Sequence, residues 1–558
     1  MSVTIGGHPA RSLWIHLAAG RSDAGRDPPP GEPMHFPTTT PVLIVGGGPV
    51  GLTLSNLLSR HGVDHLLVEA RPGTSRHPKA RGVSARSMEI FRRCGLEDAV
   101  RDAGLPASQV FFYRGRDLVD PAFVRTGVAH DASGGDENTP SPGMICSQDA
   151  LEPVLLRRAR ELAADRVRFG VRLLSFTQDE EGVRAVLEDR ADGEQHTVRT
   201  QWLVGCDGAA STVRAGAGIG MDGPTGLGHF LSVRFEAPLG EVVADRASAS
   251  YFLTPPGQGG FMAVDNDHHW IYQYPFDPDH RRGDEDLTDR KRLESLVRTA
   301  AGIPDLEVTV RDTMVWRMDA QLASAYRSGR ILLAGDAAHV IPPTGGHGMN
   351  TGVGDADNLA WKLAAVTTGH ATAALLDSYQ AERRPVARQV IDLSTENARA
   401  RAGYRIDDEL LLTAAYRSTA VVPGPGTPTR PPLDVSGYHP SGDPGLRAPH
   451  TRLDGPPGIS STLDLVGPDF ALITAADTPA WQQQADAAAA AGIPVTVHRL
   501  DSGRLREEHP GSFNRLCALP AAGSVLVRPD GHVAWRAASP STGPELLQAL
   551  RSILTGRP

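Results

Sequence analysis

The feature that most constrains this chain is a short block near its start, Gly46-x-Gly48-x-x-Gly51. An apolar run, Pro41-Val-Leu-Ile-Val45, precedes it and reads as a buried parallel strand. Val50, Leu54, Leu57 and Leu58 follow at helical spacing up to Arg60, and Gly62 ends that helix. Leu66-Leu-Val68 reads as the next strand, closed by Glu69, 23 residues past Gly46. Strand, glycine turn, helix, strand and acid in that order make a dinucleotide-binding unit. Gly46 permits the tight turn, Gly48 lets backbone approach a pyrophosphate, and Gly51 lets helix pack on strand. The helix N-terminus offers N–H groups and a positive dipole to phosphates. Glu69 is expected to accept from ribose hydroxyls. The unit alone does not choose between NAD and FAD.

A chain of 558 residues has room for three to four domains at about 150 residues each. Its net charge of −9 argues against nucleic-acid binding, which calls for a basic patch or stripe. Cys94, Cys146, Cys206 and Cys517 include no Cys-x-x-Cys pair. They are expected to be free thiols in a reducing compartment, with no zinc ribbon or redox dithiol. No apolar run reaches the roughly 18 residues of a membrane span. Residues 12–19 (SLWIHLAA) make a poor signal peptide, so a cytoplasmic location is expected.

Residues 1–40 read as a disordered extension, with Met34 as an alternative start. The nucleotide-binding domain is expected over 41–220 and again over 326–420, where it carries a helical segment. Between them, 221–325 alternates apolar and polar residues and is rich in aromatics, which predicts an antiparallel sheet. A Pro/Gly linker at 421–434 leads to a small α/β domain at 435–558. There is no tandem repeat.

Two further segments bear on the ligand. Trp202-Leu-Val-Gly-Cys-Asp207-Gly208 runs on to Ser211-Thr-Val-Arg214. Arg330-Ile-Leu-Leu-Ala-Gly335-Asp336-Ala-Ala-His339 is followed by Pro342-Pro343-Thr-Gly-Gly-His347-Gly348-Met349-Asn350 and a helix. Each places a carboxylate at the end of a buried strand, where open α/β sheets bind ligands. An Asx turn for Asp207 and a helix cap for Asp336 remain open readings.

Together these segments resemble the single-component flavin-dependent aromatic hydroxylases of the para-hydroxybenzoate hydroxylase fold, across about residues 41–400. The bacterial aromatic polyketide and phenol hydroxylase branch is the closer likeness, because 444–470 and 523–536 resemble its C-terminal thioredoxin-like domain. The resemblance implies an α/β fold: a Rossmann-like FAD-binding domain, an inserted antiparallel-sheet substrate domain at 221–325, and a thioredoxin-like domain lacking the dithiol. That last domain is expected to be structural, dimer-forming or a partner-docking module. Gly46, Gly48, Pro49, Gly51, Glu69 and Ala70 resemble the ADP-binding fingerprint. Arg81 and Gln148 resemble residues along the FAD, Asp336 the ribityl-binding aspartate, and Asp207-Gly208 the segment tied to FAD and NAD(P)H. Gly348, Met349 and Asn350 open a helix toward the anionic flavin edge, and Pro342-Pro343 forms a stiff, dry wall beside the ring. Two positions depart from the family: glutamine is usual where His347 stands and common near Gly354. His347 reads as a satisfied loop histidine or as a titratable group near the flavin.

The implied function is an FAD-dependent monooxygenase that uses NAD(P)H and O2. It would hydroxylate a phenolic or polycyclic, polyketide-like aromatic through a flavin C4a-hydroperoxide. Baeyer–Villiger insertion, antibiotic inactivation and a non-catalytic flavin-binding scaffold are the rival readings. No catalytic acid or base is assigned, since the carbon chemistry belongs to the cofactor. No metal site is expected: His268-His269 reads as an exposed hairpin. Phe252, Phe261, Trp270, Tyr272 and Tyr274 include candidates for a substrate roof, with core packing as the plainer fate of each. Loops 223–229, 255–260 and 276–285 are expected to shape selectivity. The expected partners are a small aromatic substrate and O2, with no nucleic acid and no membrane, in a monomer or homodimer.

Overall fold

The structure, a computed structural model, describes residues 36–127, 135–255, 258–276, 289–399, 409–424, 427, 429–475, 479–501, 503–541 and 543–556. The chain divides into two units, Met1–Pro37 and Thr38–Pro558. Of residues 1–40, expected to be disordered, 1–35 lie outside the described residues and Thr39 and Thr40 belong instead to the strand Thr39–Val45; 256–257 and 277–285 of the expected selectivity loops also lie outside the described residues.

The second unit contains an eight-stranded sheet. Five of its strands run parallel, in the order Ile331–Leu333, Gln195–Gly205, Thr39–Val45, His65–Glu69, Val167–Phe169. Val42, Leu43, Ile44, Leu66, Leu67 and Val68 are fully buried, as the apolar runs of a two-sided parallel sheet require. Val45 lies beside Gly205 and Val68, and Gly205 lies beside Leu333. Four strands therefore end at one level. Gly46, Cys206–Asp207, Glu69 and Ala334–Asp336 share a single rim, the carboxyl edge where such sheets bind ligands. Helix Pro49–Arg60 starts from this rim with Pro at its first turn, and Gly62 stops it at φ +69°.

A seven-stranded sheet has the order Thr309–Met318, Gly228–Glu236, His269–Phe276, Gly260–Ala263, Ser250–Leu253, Phe111–Gly115, Val124–Gly127. It is antiparallel except where Ser250–Leu253 meets Phe111–Gly115. Its last two strands come from the stretch read as the first part of the nucleotide-binding domain. Strands of five and four residues carry too little alternation to be assigned locally; pairing with Ser250–Leu253 defines Phe111–Gly115, which in turn pairs with the edge strand Val124–Gly127. One face of this sheet packs on helix Arg290–Ala301 through Val233, Phe235, Leu293 and Val297.

The C-terminal sheet has the order Val495–Arg499, Phe470–Thr474, Ser524–Val527, Val533–Ala537. The first pair is parallel and the other two antiparallel, with helices Ala480–Ala490 and Glu545–Thr555 on one face, which is the thioredoxin arrangement. That face also buries Trp361 and Leu375 of the larger domain. The 421–434 stretch, read as a Pro/Gly linker, is docked at its start: Val421 is buried and Val422 N donates to Ala534 O. An apolar Val-Val pair ahead of the prolines supplies the reason, since it gains by burial.

The two domains are joined by buried charges that composition does not reveal. Glu382 accepts from Arg528 Nη1 (2.6 Å) and Lys362 Nζ (2.7 Å), all fully buried. Glu89 pairs with Arg447 and with Arg86, and Asp357 with Arg86 and Arg93. Burial alone would raise both glutamate pKa values. Arg447 and Arg86 outweigh it at Glu89, and Arg528 and Lys362 do so at Glu382, so each is held down to about 2. Carboxyls depressed in the folded state stabilise it above their ordinary value near 4.5, and that stability is lost as pH falls toward about 2. Each is worth about 3 kcal/mol over that window. Denaturant titrations at successive pH values are expected to show the loss below about pH 4.5; a flat profile down to about pH 3 would refute the account.

Among the described residues no helix is long and apolar enough to cross a membrane. The four cysteines are free thiols, three of them buried, and burial raises Cys94 to about 11 and Cys146 to about 12.

Candidate functional site

The glycine turn closes on itself. A Cβ at Gly51 would lie 1.9 Å from Gly46 O, and one at Gly46 (φ +112°) would lie 2.3 Å from Cys206 O. Gly48 differs: it is extended (φ −80°), and a Cβ there would meet only Glu152 Oε1, at 4.0 Å. Gly48 thus leaves room for a ligand rather than for protein. Glu69 does more than await a ribose. Its Oε2 accepts from Gly47 N (2.7 Å), and its Oε1 accepts from Arg71 N and Nε (both 2.9 Å). Burial would raise its pKa, but the bonds from Arg71 and Gly47 bring it below the usual value. Ala70 follows, its carbonyl accepting from Arg190 Nη1. Pro49 is the first residue of the helix above Gly48.

The two strand-end aspartates have different fates. Asp207 Oδ1 accepts from Ser211 Oγ and its Oδ2 from Val213 N (3.1 Å), so it is spent on the start of the short helix Thr212–Gly216, whose N-cap is Ser211. Burial pushes its pKa up. Gly208, next to it, has φ +81° and open space where a Cβ would stand. Asp336 is solvent-exposed, yet protein mass around it desolvates the carboxyl and raises its pKa. Exposed surface deep inside the molecule means a crevice floor. The Asp336 carboxylate makes no hydrogen bond to protein among the described residues, so it is free to accept from a ligand.

Helix Gly348–Thr367 opens beside this floor. Its first intrahelical bond is Thr351 N to His347 O (2.8 Å). The N–H groups of Gly348, Met349 and Asn350 come before that bond and point out of the helix mouth. The Asn350 side chain is spent elsewhere. Its Oδ1 accepts from Ser84 N (2.9 Å) and Ser87 Oγ (2.8 Å), and its Nδ2 donates to Gly82 O (3.0 Å) and Gly346 O (2.8 Å). It fastens the loop, leaving only its backbone for a ligand. His347 is buried at the N-cap; of the two prolines, Pro342 is buried and Pro343 exposed.

Arg81 is not a surface residue. It is buried, with Nη1 donating to Ala249 O (2.9 Å) and Nη2 to Ala263 O, and so ties the 75–84 segment to the seven-stranded sheet. Gln148 begins helix Gln148–Leu162 and donates from Nε2 to Glu152 Oε1 (2.6 Å). Glu152 was missed in the sequence. It is fully buried, and its Oε2 accepts from Ser75 N (2.6 Å). Its spacing of four from Gln148 on one helix was the available signal.

The expected roof aromatics mostly face the wrong way. Phe261, Trp270 and Tyr272 are buried in the core against helix Arg290–Ala301, and Tyr274 packs on that core. Strand alternation puts Phe252 on the opposite face. That face carries Phe112, Phe230, Met262, Gln273 and Trp316, all half-buried. Phe230 and Trp316 are cross-strand partners stacked at 4.4 Å, with Trp316 Nε1 donating to Ser232 Oγ (3.1 Å); Phe112 meets Phe252 edge-on at 5.6 Å. The 75–84 segment runs from this sheet, through Arg81 and through Arg234 Nη1 on Arg76 O, to Asn350. His268 and His269 sit at the hairpin between Gly260–Ala263 and His269–Phe276, paired with Asp267 and Asp265.

These residues fit a flavin adenine dinucleotide. The Gly48 turn and its helix mouth suit a pyrophosphate, the Asp336 carboxylate suits a polyol, and the mouth at Gly348–Asn350 suits the anionic edge of the ring. A cavity of about 500 Å³ lined by Arg327, Gly329, Asp377 and Gln380 shares none of them.

Comparison with known proteins gives the same assignment. Residues 39–394 match the family model described as FAD binding domain, and 441–558 match aromatic-ring hydroxylase, C-terminal. A putative polyketide hydroxylase of Streptomyces halstedii is 39% identical, covering 94% of this chain and 98% of that protein. Tetracenomycin B2 monooxygenase-dioxygenase of Streptomyces olivaceus is 38% identical, with coverages of 90% and 96%. The crystal structure of a ternary complex of aklavinone-11 hydroxylase with FAD and aklavinone superposes with a TM-score of 0.82 at 35% identity, covering 92% of this chain and 99% of that one.

Proposed function

The chain belongs to the FAD-dependent aromatic-ring hydroxylases, and from that premise we propose that it hydroxylates a phenolic, polycyclic, polyketide-like small molecule with NAD(P)H and O2 in the cytoplasm, as a monomer or homodimer. The relatives named for a polyketide, for tetracenomycin B2 and for aklavinone support that substrate class. Bound FAD supplies the redox chemistry, in which NAD(P)H, H⁺, O2 and an aromatic C–H become NAD(P)⁺, water and a phenol.

The chain's own residues bind, orient and exclude water. N–H groups at Gly48 and the first turn of Pro49–Arg60 hold the pyrophosphate, and Asp336 accepts from the polyol hydroxyls. The N–H groups of Gly348, Met349 and Asn350, with the dipole of their 20-residue helix, stabilise negative charge at the ring edge. Pro342-Pro343 offers no N–H to water or ligand. No side chain is needed as acid or base for this.

The observation that carries the substrate reading is the half-buried face of Phe112, Phe230, Phe252 and Trp316, joined by the 75–84 segment to the helix mouth. A flat, largely apolar face on which Gln273 and Ser232 are polar matches a flat polycyclic ring better than a small monocyclic one. The test supplies FAD-loaded protein with NADH or NADPH, 18O2 and phenols of one to four rings. Polycyclic phenols should accelerate NAD(P)H oxidation and gain one labelled oxygen on the ring. Phe230→Ala should raise KM for them about tenfold with FAD content unchanged. No labelled product from any polycyclic phenol would defeat the reading, and label inserted beside a carbonyl would replace hydroxylation by Baeyer–Villiger chemistry.

A further inference from the structure

Behind the crevice floor lies a cluster of charge that the reading above does not use. Asp355 projects from helix Gly348–Thr367 and is fully buried. Its Oδ2 accepts from Gly335 N (3.1 Å) and His339 Nε2 (2.7 Å), and its Oδ1 accepts from Arg383 Nε (2.8 Å). Arg383 in turn donates from Nη2 to Thr351 O (2.8 Å) and from Nη1 to Tyr416 Oη (2.9 Å). Gly335 and His339 bracket Asp336, so one carboxylate grips the Gly335–Ala337 turn on both sides of the residue it presents.

We propose that Asp355 is a positioning residue for the flavin, acting through Asp336: it fixes the 335–339 turn from behind so that the Asp336 carboxylate is held on the crevice floor.

Chemistry explains why a carboxylate stands there. Its three partners are all donors, and a carboxylate is the side chain that only accepts. An asparagine of the same shape turns an N–H against a donor, leaving a buried group unsatisfied. Burial alone would raise the Asp355 pKa, but His339 and Arg383 bring it below the usual value, so it is ionised. The packing around it is equally tight. A Cβ on Gly352, one turn earlier on the helix, would lie 3.0 Å from Gly335 Cα. The turn has no slack with which to find its position unaided.

The inference rests on Asp336 being an FAD ligand, and a double-mutant cycle separates the two claims. FAD dissociation constants are measured by titrating apoprotein of the wild type, Asp336→Ala, Asp355→Asn and the double variant. Asp336→Ala and Asp355→Asn should each weaken FAD about tenfold or more. In the Asp336→Ala background, Asp355→Asn should cost less than about twofold. Additive losses mean that Asp355 only stabilises the fold, and they overturn the inference alone. An unchanged constant for Asp336→Ala overturns the ligand reading and the inference with it. Should Asp355→Asn fail to fold, His339→Leu carries the same cycle, since it removes one side of the grip and leaves the Arg383 pair.

Discussion

Gly51→Ala is expected to yield protein that purifies without flavin. The added Cβ would sit 1.9 Å from Gly46 O and 3.4 Å from Cys206 Cβ. Both obstacles belong to the rim itself, so helix Pro49–Arg60 must back away from the strand it packs on. Overpacking of this kind costs about 3 kcal/mol, and it misaligns the N–H groups that meet the pyrophosphate. Gly48→Ala separates the two effects. Its backbone is extended, and its Cβ would meet nothing nearer than Glu152 Oε1 at 4.0 Å. Apoprotein carrying Gly48→Ala should melt like the wild type, yet bind FAD about a hundredfold more weakly, because the methyl occupies ligand space. Flavin absorbance per chain and apoprotein melting curves decide this. A Gly51→Ala protein that keeps its flavin would show that the turn is not the pyrophosphate site.

The second large effect belongs to the domain junction. Arg528→Met leaves Glu382 with Lys362 as its remaining buried cation, and Asp530 without its arginine. Removing one partner of a buried pair costs about 3–5 kcal/mol, because an uncompensated charge stays out of water. Lys362 makes up part of the loss at most, as a single ammonium on Glu382 that burial already lowers to a pKa of about 8, and it leaves Asp530 unpaired by arginine. Urea unfolding should show that loss, and flavin occupancy should fall with it. Asp530 also accepts from Trp361 Nε1 (3.2 Å) and Asn358 Nδ2 (3.3 Å), on helix Gly348–Thr367. Arg528→Met combined with Glu382→Gln should lose less than the two single variants summed. A loss under about 1 kcal/mol for Arg528→Met would place the pair with screened surface contacts. This junction supports a structural role for residues 435–558, with the thioredoxin-like sheet acting as a brace rather than a redox module.

The sequence by itself determined the dinucleotide unit, because Gly46, Gly51 and Glu69 lie within 23 residues of one another and leave a local signature. It also placed Asp336 and the Gly348–Asn350 helix mouth, whose strand-turn and glycine-helix patterns are again local. Tertiary structure alone decided which carboxylates are spent. Asp207 and Asp336 look alike as strand-end aspartates, yet one is bonded to the start of a helix and the other stands open on the crevice floor. It alone turned Phe261, Trp270 and Tyr272 into core and put Phe112, Phe230 and Trp316 on the open face. Alternation tells that two faces exist but not which one helix Arg290–Ala301 will cover. The bonds from Arg81 to Ala249 O, from Ser84 N to Asn350 and from Arg528 to Glu382 were equally invisible, since they span 146 to 266 residues of chain, and so was the role of Asp355. Partners brought together only by folding leave no periodicity to read, and the side chains that hold the site in place are of that kind.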